Sequence, residues 1–285
     1  MGEVIALYVD YKSDKVKGVA TLASNAAALA RFWGDLPCDA VKKSTCARYE
    51  RERAKPRRDD NGVVRTAGRS VVRRELGVLQ AALRHASRDG VLIYAPEVTL
   101  PPEAEPRDRW LTRSEAAKLI RSSDKHIRRF ILLSLYTGRR MSAVLELTWT
   151  RVDLDSGVIR FRAEGEAETK KRRGSVRIPR QLCAHLRRWR RADRHGETHV
   201  VHFHGGAISS VKKAITRSVQ RAGLEGRVSA HTLKHTSITW AISKGLGVEA
   251  AAEYFDTSPA TIRKTYWHHS PYHQAEGVAA MEKRG

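Results

Sequence analysis

The chain has 285 residues, a length that suits one large domain or two ordinary ones. It carries 53 Lys and Arg against 31 Asp and Glu, a formal charge of +22; such a field attracts polyanions, and the basic residues spread along the whole chain, which favours nucleic acid over an anionic membrane. No apolar run approaches about eighteen residues, no basic segment precedes an apolar one at the N-terminus, and the three cysteines lack ligand or framework spacing, so a membrane span, a signal peptide and a disulfide scaffold are not expected.

Val4, Ile5, Leu7, Tyr8 and Val9 predict a short helix over residues 2–12, and Ala20 through Trp33 repeat the pattern. Gly34-Asp35-Leu36-Pro37 breaks it. Ser44 is read as the cap of a third helix reaching about Arg53. Residues 54–68 read as an exposed basic loop with an Asn-Gly turn, offering Arg57 and Arg58 to phosphates. Val72, Leu76, Leu79, Leu83 and Ala86 follow three-four spacing and predict a helix over 69–88. A small helical domain with a basic rim, residues 1–94, accounts for this half. Residues 95–108 hold four of the nine prolines, a density that resists helix and fits a linker.

The second domain is expected over 109–285. Thr112 and Glu115 have capping-box spacing. An apolar helix over 126–137 should end near Gly138, and a short one should follow over Met141–Leu147. Residues 150–162 alternate around an Asp-Ser-Gly turn and read as a β-hairpin. The basic run 169–174 reads as a turn before a strand at 176–178. Helices are expected at 180–192, 207–222, 231–244 and 247–255, and a last one from Ser258-Pro259. The expected class is mostly α with a small β-sheet.

His231 and His235 lie four apart, so they share a helix face. Tyr266 follows among Arg263, Lys264 and His268. A tyrosine in a cation-rich pocket suits attack on a phosphodiester, with the cations holding the charge that builds on phosphate. A basic surface helix with a packed aromatic near its end is the plainer alternative. His202-x-His204 and His268-His269 lack acidic or cysteine partners at ligand spacing, so no metal is expected.

Three blocks then stand in a telling order: Leu135-Tyr-Thr-Gly-Arg-Arg140-Met-Ser-Ala-Val-Leu-Glu-Leu-Thr-Trp149, His231-Thr-Leu-Lys-His235, and Thr265-Tyr266-Trp-His-His-Ser-Pro271. Together they resemble the tyrosine recombinases, the phage integrases, over residues 109–273 and more loosely over the helical N-terminal part. The resemblance implies a helical core-binding domain joined to a catalytic domain. It implies a site-specific recombinase of a mobile element that cuts and rejoins duplex DNA through a covalent 3′-phosphotyrosine, without metal or cofactor.

The match places the nucleophile on Tyr266 and the first phosphate-holding arginine on Arg140, in Thr-Gly-x-Arg. His231 falls on the histidine that handles the phenolic proton. The general acid, a lysine on a β-hairpin turn, falls on Lys170, with Lys171 as the register alternative. Lys171, Arg172, Arg173, Arg139, His235, Arg57 and Arg58 are taken as DNA contacts, His235 as a supporting histidine rather than a catalyst. Three positions depart from the pattern. Ala143 stands where Glu or Asp is common, and Lys234 where a second arginine is expected. Thr257, or Asp256 in a shifted register, stands where a His or Trp is expected. Lysine keeps the charge but loses the planar fork.

The implied partners are attachment-site duplex DNA, three further copies of the chain in a tetramer that exchanges residues 268–285, and excision or host architectural factors. The implied location is the bacterial cytoplasm, on the nucleoid when DNA-bound. The alternative from another class is a regulatory or architectural DNA-binding protein on the same fold with weak or no cleavage, motivated by Lys234, Thr257 and Ala143. A topoisomerase using the same tyrosine chemistry is a more distant enzyme reading.

Overall fold

The computed structural model describes residues 1–16, 18–58, 62, 64–103, 109–162, 174–194 and 196–282. The chain forms two compact units, Met1–Glu105 and Pro106–Gly285. Both are mainly helical, with short antiparallel sheets.

The first unit contains α1 (Gly2–Ser13), α2 (Val19–Trp33), α3 (Lys43–Ala54), a ribbon of β1 (Arg57–Arg58) and β2 (Val64–Arg65), and α4 (Arg69–Arg88). The apolar stripe of α4 is buried as its spacing predicts, with Leu76, Leu79 and Leu83 packed among Leu29, Trp33 and Tyr49. Beside this core, Glu75 accepts from the Tyr49 hydroxyl at 2.7 Å and from the Arg53 fork at 2.7 and 2.9 Å. A carboxylate this buried needs such a set of donors to stay in the interior.

Three expectations are corrected in this unit. Lys42 is the N-cap of α3, and Ser44 lies inside the helix. The loop over 54–68 contains the β1–β2 ribbon, because Arg57 and Arg58 pair with Arg65 and Val64. The proline-rich segment is not a bare linker along its described part: Val98 is buried in this unit's core, and Arg73 donates to the carbonyl of Pro101.

In the second unit, α5 (Arg113–Arg121) opens with the complete capping box of Thr112 and Glu115. Then come α6 (Lys125–Thr137), α7 (Met141–Leu145), the sheet of β3 (Val152–Asp153), β4 (Val158–Arg160) and β5 (Ser175–Arg177), and α8 (Arg180–Ala192). A second ribbon, β6 (His202–Phe203) with β7 (Gly206–Ala207), precedes α9 (Lys212–Arg221), α10 (Ala230–Ile242), α11 (Val248–Tyr254), α12 (Pro259–Thr265) and α13 (Ala275–Glu282).

The helix expected over 207–222 therefore starts five residues late, at Lys212. The reason is a two-residue hairpin turn at His204-Gly205, with φ of 49° and 82°. Positive φ at both central residues matches the right-handed twist of the strands, and the glycine meets that demand without strain.

Helix α10 packs along α6 and is buried on most of its surface. Its hydroxyls make this burial tolerable. Thr236 donates to the carbonyl of Thr232 at 2.7 Å and accepts from the Leu111 amide at 2.9 Å, and Ser237 donates to the Leu135 carbonyl at 2.7 Å. These long-range bonds fix the rotation of α10 about its axis, and so fix which residues of the His-Thr-Leu-Lys-His block turn inward.

Candidate active site

Helix α6 ends at Gly138 in the left-handed region, φ 59°, and the chain turns through Arg139 to Arg140, the N-cap of α7. A Cβ on residue 138 would lie 2.4 Å from the Phe255 ring, so this position needs glycine both for its backbone angle and for close approach. The two arginines of the turn part ways. Arg140 is exposed. Arg139 is buried, with its guanidinium 2.8 Å from the Asp256 carboxylate and donating to the Ser175 carbonyl at 3.3 Å. Arg139 was expected on DNA; the side chain is buried.

The second block sits on the first turns of α10. Lys234 is buried, and its Nζ donates to the Phe255 carbonyl at 3.0 Å. Burial first, then the charges of Arg140 and Arg139, pull its pKa down to about 8, with Asp256 opposing. His231 is held below the usual histidine range by desolvation, then by Lys234 and Arg140. Its ring meets that of His235 edge-on, with centroids 4.4 Å apart.

Tyr266 closes α12, whose start is capped by Ser258 with Pro259 in the first turn. Its ring is buried among Ile238, Ile262 and their neighbours. Its hydroxyl lies 2.8 Å from Nδ1 of His235. His235, expected as a DNA-contacting histidine, is thus the direct partner of the tyrosine, whereas His231 lies one helical turn further along. The four-residue spacing of the pair was readable, but which ring reaches the phenol depends on where α12 ends.

Of the departing positions, Ala143 is buried in the core, and Thr257 bonds through its backbone amide to Ala252. Asp256 adopts a left-handed φ of 56°. Lys170, Lys171, Arg172 and Arg173 lie outside the described residues. In the other unit, Arg57 pairs with Glu52 at 3.2 Å and Arg58 is exposed. Two other tyrosines of this unit stand apart: the Tyr254 hydroxyl donates to the Tyr136 carbonyl at 3.0 Å, and Tyr272 is exposed against Gly245.

The fold does assemble one acidic group that spacing missed: ligand atoms of Asp193, Glu197 and His202 lie within 4.8 Å of one another. Its centre is already taken by a cation. Arg129 grips both Asp193 oxygens, at 2.5 and 2.8 Å, and Trp149 donates to the same carboxylate at 3.0 Å. Nδ1 of His202 accepts from the Gly205 amide at 3.1 Å, and its Nε2 lies 3.3 Å from Asp193 and 3.1 Å from Nη1 of Arg129. With Arg129 on Asp193, the group reads as a partly buried ion-pair network.

No helix among the described residues is long and apolar enough to cross a membrane. The integrase of Salmonella phage P22 is 23% identical over 218 residues, covering 73% of this chain; the chain spans only 56% of that integrase's length. The Tn1549 transposon integrase in complex with transposon right end DNA superposes with a TM-score of 0.74 at 18% identity, covering 98% of this chain and 99% of that one. A lambda integrase tetramer bound to a Holliday junction gives 0.70 at 18% identity, covering 90% and 74%. The family model described as the phage integrase family matches residues 109–273, which include Arg140, His231, Lys234, His235 and Tyr266, and the chain belongs to that family.

Proposed function

We propose that the chain is a site-specific DNA recombinase that cuts and rejoins duplex DNA through Tyr266. The observation that carries this reading is the 2.8 Å contact between the Tyr266 hydroxyl and His235, on the same helix face as His231 and one residue from the buried cation Lys234. A phenol has an ordinary pKa of about 10, so it reacts near neutral pH only with a base or a cationic field beside it.

Tyr266 Oη attacks phosphorus and passes its proton to Nδ1 of His235. The Oη–P bond forms, the P–O5′ bond breaks, and O5′ leaves with a proton from a general acid. That acid is Lys170, or Lys171 in the other register. Arg140 and Lys234 hold the nonbridging oxygens as charge builds on them, and His231 bonds to the same phosphate. The phosphotyrosine retains the bond energy, so the reverse attack by a 5′-hydroxyl reseals DNA without a nucleotide cofactor. The testing experiment is a nicked suicide duplex spanning the attachment site: an SDS-stable protein–DNA adduct is expected, and noncovalent binding with no adduct would favour the regulatory alternative.

Residues 1–94 add phosphate contacts from their basic rim, Arg58 among them. With a net charge of +22 the chain should bind duplex DNA with a steep salt dependence. Affinity should fall roughly a thousandfold or more between about 50 and 200 mM salt as counterion release is lost. A loss below about tenfold in a fluorescence titration would remove the electrostatic reading.

The working assembly is a tetramer on two duplexes. An open groove of about 640 Å³ on the second unit is lined by Leu132, Leu135, Trp240, Leu246 and Tyr254, and the same unit carries α13 with Val278 and Met281 exposed. An apolar segment from one copy seated in the groove of the next fits both features. Sedimentation of the DNA complex checks this: removal of residues 275–285 should stop assembly at smaller species, and an unchanged tetramer would refute the exchange. Excision and host architectural factors remain part of the proposal through the family alone, as does the cytoplasmic, nucleoid-bound location.

A further inference from the structure

The turn between α11 and α12 holds more of this site than any motif indicated. Phe255 lays its ring on Gly138 and offers its carbonyl to Lys234. The next residue, Asp256, is an aspartate at φ 56°, a backbone conformation that suits glycine better. Its carboxylate reaches the buried Arg139 at 2.8 Å and accepts from the backbone amide of Gly174 at 3.0 Å. Gly174 directly follows the basic run 169–173 in the sequence and leads into β5.

The charged groups facing Lys234 are Arg139 and Arg140 from the α6–α7 turn, His231 from its own helix, and Asp256. Among those groups Asp256 is the anion. Nε and Nη1 of Arg139 make no hydrogen bond among the described residues, so beyond the Ser175 carbonyl the buried guanidinium rests on its charge contact with this carboxylate. Strain accepted at a backbone position is informative when the side chain held there makes contacts glycine cannot make.

We propose, building on the recombinase reading above, that Asp256 is a positioning residue of the phosphate site: its carboxylate ties the α6–α7 turn and Gly174 to the α11–α12 turn and is the counter-charge that keeps Arg139, Arg140 and Lys234 assembled. A phosphate-holding lysine differs from an arginine in that its charge can be lost within the working pH range. Burial is the main cause that brings Lys234 down to about 8; among the groups facing it the Asp256 carboxylate alone acts the other way and favours the cation. Without that carboxylate the two arginines act on Lys234 unopposed.

The test uses Asp256→Asn and Asp256→Gly, the second of which relaxes the backbone and guards against misfolding, each alone and with Arg139→Met. Two readouts are taken. One is the pH dependence of the specificity constant for adduct formation, which reports groups of the free enzyme. The other is the titration of Lys234 by NMR of 13C-labelled lysine in the DNA-free protein, which needs no activity. Asp256→Asn and Asp256→Gly should each lower the specificity constant about tenfold or more at pH 7.5 and move the alkaline fall in activity, and the Lys234 titration, to lower pH. Adding Arg139→Met should move both back toward wild type. Wild-type titration and activity in Asp256→Gly would overturn the proposal, because glycine would then serve as well as the carboxylate. An absent adduct in wild type would count against the recombinase reading alone, and the Lys234 titration would still decide the role of Asp256.

Discussion

Tyr266→Phe is expected to abolish covalent adduct formation on a suicide substrate while leaving the fold and DNA affinity in place. The change deletes one oxygen. The ring stays packed among Ile238, Ile262 and their neighbours, and one hydrogen bond to His235 is lost. That bond is worth about 1 kcal/mol to stability. The chemical cost is of another order, because without Oη no Oη–P bond can form; removing a covalent nucleophile costs on the order of a millionfold. Peptide mapping of the wild-type adduct should place the phosphotyrosine on Tyr266. An adduct mapped to Tyr254 or Tyr272 would sink the assignment. Tyr254 is a poor rival physically, since burial raises its pKa and its hydroxyl is committed to the Tyr136 carbonyl.

Lys234→Met should make a more stable protein that cuts poorly. A lysine held at about 8 in place of 10.5 stores about 3 kcal/mol of unfavourable charge burial. Methionine has similar length and carries no charge, and it gives up about 1 to 3 kcal/mol by leaving the buried Phe255 carbonyl unpaired. The net expectation at pH 7 is a gain of up to about 2 kcal/mol in urea unfolding, by the difference of those two terms.

The sign of the pH dependence follows from linkage. Between pH 8 and 10.5 the unfolded wild type binds the Lys234 proton more tightly than the folded state, so wild-type stability rises through that window. The variant lacks this contribution, and its advantage should shrink as pH rises. Cleavage should fall roughly 100- to 1000-fold, the usual loss when one donor to a developing oxyanion is removed. Lys234→Arg should keep or raise cleavage by restoring the fork. Full activity in Lys234→Met would show that this residue never touches the scissile phosphate, and a loss of stability would show that its charge is better solvated than its burial implies. Site residues that cost stability are expected where function requires a buried charge.

Local rules of the sequence were enough for much of the framework. Helix α4 runs over Arg69–Arg88 as its three-four spacing demands, the Thr112–Glu115 box caps α5, and Ser258-Pro259 opens α12. Each depends on contacts within a turn or two of chain, where side-chain identity and backbone geometry are directly linked. The order of the three blocks was legible for the same reason, since it is linear information, and it pointed to Tyr266 as the candidate nucleophile.

Tertiary structure alone decided which members of those blocks share the site. Arg139 and Arg140 are adjacent and chemically identical, yet one is buried against Asp256 and the other exposed, because the turn after Gly138 must accept the Phe255 ring. The choice of His235 over His231 as the partner of Tyr266 depends on the rotation of α10, set by bonds to Leu111 and Leu135 more than a hundred residues earlier. The left-handed Asp256 left no propensity signal, since its backbone state is accompanied by contacts to Arg139 and Gly174 far away in sequence. Residue type along the chain determined what chemistry was possible here; burial and charge between segments far apart in sequence determined which atoms meet.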